Sequence, residues 1–128
     1  MKAIIEYLQD LNFASAALRV LLAMVVGGIT GIERGKQGRA AGMRTHILVC
    51  VGATLAMCIS RYLVEVLGLG TDVSRLGAQV INGIGFLGAG TIIVTGKQQI
   101  KGLTTAAGLW TCTCVGLAIG AGFYEGVF

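Results

Sequence analysis

The sequence predicts an all-α polytopic membrane protein, with four transmembrane helices preceded by a short interfacial helix. Three observations carry this. The 128 residues are 55% hydrophobic and only 12% charged, whereas a soluble domain carries about 25% charged residues. Four mostly apolar stretches approach the roughly 20 residues a helix needs to cross hydrocarbon. The basic residues gather in two of the connections between them, as the orientation rule for membrane proteins requires.

The apolar stretches run from about Ala14 to Ile32, His46 to Val64, Ala78 to Thr95 and Leu103 to Tyr124. Before the first, Ile4, Ile5, Leu8 and Leu11 fall on one helical face, opposite Lys2, Glu6, Gln9 and Asp10. That segment is expected to lie flat at the membrane interface. The first connection holds Arg34, Lys36, Arg39 and Arg44 against Glu33, and the third holds Lys97 and Lys101 with no acid. The middle connection balances Arg61 and Arg75 against Glu65 and Asp72. Lys and Arg mark the cytoplasmic side, so loops 33–45 and 96–102 are expected inside and both termini outside. The net charge of +4 is then an orientation signal and no sign of nucleic-acid binding.

The chain has 21 Gly and no Pro. Membrane helices associate at small residues, because lipid solvates Leu as well as another helix does. Gly27 and Gly31 mark a packing face on the first span; Gly52, with Ala56 and Ser60, on the second; Gly108, Cys112, Gly116 and Gly120 on the fourth. The third carries Gly83, Gly85, Gly88 and Gly90, small on more than one face, and is expected to be the central helix. Gly83–Gly88 also fits the G-x-G-x-x-G pattern, but within a long apolar run, with no strand before it and Gly at position 108 where an acid belongs. Cys50, Cys58, Cys112 and Cys114 lie in apolar runs without metal-ligand spacing and read as small fillers. The two hairpins resemble each other. Gly35-Lys-Gln37 recurs as Gly96-Lys-Gln98, and Gly42-Met-Arg-Thr45 as Gly102-Leu-Thr-Thr105, which suggests a parallel duplication. Chance similarity of two Gly-rich hairpins is the competing explanation.

Polar residues at membrane depth are the functional candidates. Glu33 and Arg44 flank the first loop, either as an ion pair tying the hairpin or as part of an anion or lipid-headgroup site. That site would include Thr45, Thr104 and Thr105 at two helix starts, with Arg34, Lys36, Arg39 and Lys101 nearby. The threonines also suit helix N-caps. Gln79 and Asn82, one turn apart, suit interhelical hydrogen bonds or a polar vestibule. Arg19, and Arg61 with Glu65, read as outer-leaflet ion pairs or snorkelling side chains. Trp110 is expected to fill a gap opposite glycines, and His46 to pack at an interface. No nucleophile–base–acid set and no carboxylate pair lies in a span, so no enzyme, cofactor or metal site is expected.

Gly31-Ile-Glu-Arg34, Ala41-Gly-Met-Arg-Thr45, Gln79, Gly83-Ile-Gly-Phe-Leu-Gly-Ala-Gly90, Lys101-Gly-Leu-Thr-Thr-Ala-Ala107 and Leu109-Trp110 together resemble the MgtC/SapB family of bacterial membrane proteins. The resemblance covers about residues 15–124. It implies a multi-pass bacterial inner-membrane protein tied to magnesium limitation, acid stress or life within a host. Such a protein would modulate partner membrane proteins, with transport of Mg²⁺ or another small ion as the alternative. Relatives often continue into a fifth helix or soluble C-terminal domain; here one transmembrane domain, 1–128, is expected. Anionic lipid headgroups at the cytoplasmic face, a second copy of the chain and other membrane proteins are the expected partners.

Overall fold

The computed structural model describes residues 1–38, 41–94 and 100–127 and is all-helical apart from one very short hairpin. Arg39, Gly96, Lys97 and Gln98 of the predicted basic loops lie outside the described residues. Helix α1 is Lys2–Gln9, α2 Phe13–Lys36, α3 Met43–Arg61, α4 Arg75–Thr91 and α5 Leu103–Ala121. Strands β1 (Ile93–Val94) and β2 (Ile100–Lys101) pair antiparallel between α4 and α5. One π-helical turn, Tyr62–Val66, continues α3.

Helix α1 buries no residue, consistent with a segment resting at an interface. The entry to α2 is closely specified. Asn12 Oδ1 accepts from Ser15 N–H at 2.8 Å and Ser15 Oγ accepts from Asn12 N–H at 3.1 Å, a reciprocal cap that satisfies two end groups of the chain. Helix α3 starts at Gly42 and α5 at Gly102, neither with a side-chain cap. Thr45, Thr104 and Thr105 therefore sit inside the first turns and are not N-caps. Gly102 has φ +95°, and a side chain there would overlap the Thr91 carbonyl, so this tight turn from the hairpin into α5 requires glycine.

Among the described residues, three helices are long and apolar enough to cross a membrane: Phe13–Lys36, Met43–Val66 and Leu103–Ala121. Helix α4, with 17 residues, is roughly 25 Å long at 1.5 Å per residue, short of a ~30 Å hydrocarbon core. It nevertheless runs alongside the others. A Cβ on Gly77 would lie 3.5 Å from Met57 Sδ and 3.8 Å from Leu117, and one on Gly88 3.6 Å from Ala106, so α4 is antiparallel to α5 over most of its length.

The centre of the bundle is the seam between α3 and α5, not α4. The two helices run parallel: Gly116 faces Cys50 and Ala53, and Gly120 faces Thr54 and Met57. Gly27 and Gly31 of α2 meet α3 nearer its start, at His46, Ile47 and Met43. Helix α4 buries only Gly77, Ile84 and Gly88. The prediction of a central α4 fails because glycine on every face permits contact without demanding it. Gly52, Gly83, Gly85 and Gly90 likewise face open space within the chain, a correction to their assignment as packing positions, whereas Gly27, Gly31, Gly88, Gly116 and Gly120 do lie in seams. Helix α3 turns Cys50, Ala53, Thr54 and Cys58 inward, about one residue round from the expected Gly52 stripe. Trp110 is half exposed and points away from the glycine seams.

The internal likeness has a structural counterpart. Helices α3 and α5 each have 19 residues, and each end of α5 falls sixty positions after its counterpart in α3. Gly27 packs on His46, and sixty-one and sixty positions on, Gly88 packs on Ala106. The second helices of the two hairpins share their boundaries, while α2 and α4 differ in length and the burial differs: Gly52 is exposed where Cys112 is buried.

Candidate functional site

At the end of the bundle that carries α1, Arg19 is 0% exposed. Its Nε donates to Tyr124 Oη at 3.1 Å, one terminal nitrogen to the Gly120 carbonyl at 2.8 Å, and the other to the carbonyls of Leu8 and Gln9 at 3.1 and 2.9 Å. The carbonyl acceptors lie in the last turns of α1 and α5, the negative ends of two helix dipoles. Arg61 reinforces them by donating to Gln9 O at 2.9 Å, and it is held by Glu65 at 2.9 Å. Gly122, at φ +82°, would bring a Cβ to 3.1 Å from Arg19, so glycine here terminates α5 and leaves room for the guanidinium. The expected ion pair exists for Arg61 only. Arg19 is a buried cation neutralised by carbonyl oxygens, a role no side-chain pattern in the sequence announces.

Along the α3/α5 seam the threonine hydroxyls are paired within the protein. Thr54 Oγ1 donates to the carbonyls of Cys50 and Gly116, each at 2.9 Å, and Thr113 to Leu109 O at 2.9 Å. Cys112 Sγ points at His46 O at 3.6 Å. His46 is fully buried, as expected for a packing role. Its Nδ1 lies 2.9 Å from the Gly42 carbonyl, so Nδ1 carries the proton, and Nε2 has no partner among the described residues. Cys50, Cys58 and Cys112 are buried free thiols and Cys114 is half-buried, in keeping with apolar filler roles.

Helices α3 and α5 being parallel, both their N-termini do open at one end, as predicted. The polar residues there do not converge on one spot. Glu33 and Arg44 are both exposed and form no ion pair; among the described residues that contact is made only by Arg61 and Glu65. The separation arises because α2 continues through Lys36, carrying Glu33 onto an outward helical face. Thr45 lines a cavity of about 450 Å³ beside Phe86, Gly90 and Leu109, between α3, α4 and α5. Thr105 is buried. Arg34 and Thr104 line a separate groove between α2 and α5.

Gln79 and Asn82 are exposed on the outward face of α4 and make no hydrogen bond with any described residue, so they are not interhelical bridges within the chain. At 100° per residue they share that face with Phe86, Ala89 and Gly90, flanked by the open Gly83 and Gly85. Among the described residues no group of three His, Cys, Asp or Glu side chains gathers where a metal would sit.

Apolar helices packed through glycine, a fully internal polar seam and charges confined to the two ends define a polytopic helical membrane protein. Residues 20–128 match the MgtC family. YhiD of Escherichia coli K12, whose provisional name is magnesium transporter, is 46% identical over 88% of this chain and 54% of its own length. SapB of Bacillus subtilis is 35% identical over 87% of this chain and 50% of its own. MgtC of Brucella abortus is 42% identical over 78% of this chain and 40% of its own. No solved structure matches. The chain belongs to the MgtC family of membrane proteins, and it spans about half the length of the curated relatives it matches.

Proposed function

We propose that this chain is a regulatory inner-membrane factor in the magnesium-limitation and stress physiology of its family. It would act by helix contact in the bilayer, first of all with a second copy of itself. The observation that carries this reading is the outward face of α4. In our reading α4 is the third of four spans, both termini lie outside and the basic loops are cytoplasmic. Asn82 then sits about 10 Å along α4 from Arg75, at hydrocarbon depth, where a lipid-facing amide is costly. Glycines flank it. A two-fold axis along this face would set amide against amide and glycine against glycine, the arrangement membrane helices use to associate.

Native mass spectrometry of the protein in mild detergent tests the reading. Wild type is expected to be dimeric and Asn82→Leu monomeric. A wild type that is strictly monomeric at every protein concentration overturns it.

The name of the Escherichia coli relative favours a second reading, passage of Mg²⁺. Mg²⁺ requires oxygen ligands, commonly one or two carboxylates. The acids bordering the spans are Glu33, Glu65, Asp72 and Glu125, all at the bundle's ends, and Glu65 is held by Arg61. Magnesium flux into proteoliposomes above the lipid background, lost in Glu33→Gln, would establish transport.

A further inference from the structure

The groove between α2 and α5, at the end where α5 begins, is a cavity of about 330 Å³ lined by Val26, Thr30, Arg34, Thr104, Gly108 and Val115 among others. Arg34 is half-buried. Its guanidinium lies over α5 at Gly108, with the nitrogen atoms and central carbon 3.5–3.8 Å from where a Cβ would stand. It forms no hydrogen bond or ion pair with any described residue. A guanidinium presents five N–H donors, and here none is taken up by another described residue, so they remain available to an anion in the groove. Glu33, next in sequence, is exposed and does not neutralise it. The first turn of α5 adds a second attraction for negative charge. It has no side-chain cap, so its free N–H groups and positive dipole end lie beside Thr104 at the rim of the same cavity. Thr30 and Thr111 donate their hydroxyl protons to Val26 O and Ala107 O at 3.0 and 2.9 Å, so they do not compete for the anion. Away from Arg34 the lining becomes apolar: Val26, Cys112 and Val115.

We infer that this groove binds an anionic phospholipid of the leaflet at that end. Its phosphodiester would pair with Arg34 and the start of α5, and an acyl chain would run along Val26 and Val115. A single cation at the polar end of an otherwise apolar groove fits one negative charge followed by hydrocarbon. A zwitterionic lipid brings its own cation to the same spot and gains less. Arg34, not Arg44, is the anchor, because Arg44 is exposed and stands outside this groove.

The test uses the full chain in mild detergent, titrated with phosphatidylglycerol and read by native mass spectrometry and by the thermal midpoint. Wild type is expected to retain phosphatidylglycerol over phosphatidylcholine. Arg34→Ala is expected to lose about tenfold in apparent affinity, the worth of a charge-assisted hydrogen bond, and Arg34→Lys to lose less. Arg44→Ala is expected to match wild type. Gly108→Leu, which fills the groove but keeps Arg34, is expected to exclude the lipid. Arg34 makes no hydrogen bond or ion pair with any described residue, and an unchanged circular dichroism spectrum for each variant separates lost binding from lost folding. Equal losses in Arg34→Ala and Arg44→Ala would mean that diffuse surface charge binds the lipid, and would overturn the inference. So would unchanged retention in Gly108→Leu. A thermal shift produced by inorganic phosphate alone, equal to that from phosphatidylglycerol, would assign the site to a soluble anion instead.

Discussion

Gly116 offers the most direct measure of how this bundle is held together. An alanine methyl at that position would lie 2.5 Å from the Cys50 carbonyl oxygen and 2.9 Å from Ala53 Cβ. Comfortable separations between such atoms are about 3.5–4.0 Å, so α5 must retreat from α3 by something near 1 Å. Overpacking of this kind costs about 1–3 kcal/mol. The retreat also lengthens the Thr54–Gly116 hydrogen bond, now 2.9 Å, worth on average about 0.6 kcal/mol between membrane helices. Against this, Ala is favoured over Gly in a helix by up to about 1 kcal/mol. Gly52 provides the reference: it is helical and its Cβ position is open, so Gly52→Ala keeps the propensity gain and none of the clash. The two variants should therefore differ by roughly 2–3 kcal/mol, a factor of about 30 or more in the folded-to-unfolded ratio. Reversible unfolding in mixed detergent–SDS micelles, followed by circular dichroism, measures this difference. Equal SDS midpoints for Gly116→Ala and Gly52→Ala would refute the claim that the α3/α5 seam is the packed centre.

Arg19→Met should destabilise by about 1–3 kcal/mol, since the buried Gly120 carbonyl and the partly buried Leu8 and Gln9 carbonyls lose a charged donor at once. Arg19→Lys should recover only part, lacking the planar fork that reaches three elements; SDS titration reads both. Gly83→Ile should leave the unfolding midpoint of the monomer unchanged while lowering the dimer fraction in native mass spectrometry, because the position is open within the chain and lies on the proposed contact face. Asp72 lies outside the spans, and its carboxyl is held below the usual carboxylate range, first by the Ser74 backbone N–H, then by the Ser74 hydroxyl and the nearby Arg75. A depressed carboxylate stabilises above its unfolded pKa of about 3.9 and loses that contribution as pH falls through its folded value. The stability gap between wild type and Asp72→Asn should thus be present at neutral pH and close below about pH 4, as thermal midpoints across that range would show.

Much of the fold was legible in the sequence because hydrocarbon imposes a simple rule. A helix satisfies its own backbone hydrogen bonds, and about 20 apolar residues suffice to cross. The apolar runs accordingly became α2, α3, α4 and α5, with ends shifted by a few residues where polar residues such as Glu33–Lys36 continued a helix. The short β1/β2 ladder was not anticipated, since two-residue strands leave no periodic pattern. The i, i+4 spacing of small residues also pointed to the Gly27, Gly31, Gly116 and Gly120 contacts, but the same spacing failed at Gly52, where α3 turns Cys50, Ala53 and Thr54 inward instead.

Rotation about each helix axis was decided by tertiary structure wherever small residues surround the helix. Gly83, Gly85, Gly88 and Gly90 offer close approach on several sides; only the packing of Gly88 on Ala106 and of Ile84 in the core selects one, and turns Gln79 and Asn82 outward. The role of Arg19 was likewise invisible, because most of its partners are main-chain carbonyls that carry no residue identity, brought together from α1 and α5, with the Tyr124 hydroxyl added by the C-terminal turn. Arg34 differs from Arg44 for the same kind of reason. Both are basic residues flanking one loop in sequence, but only one lies where α2 and α5 part. Hydropathy is a sum along the chain and can be read from it; the facing of one helix toward another depends on contacts between residues distant in sequence.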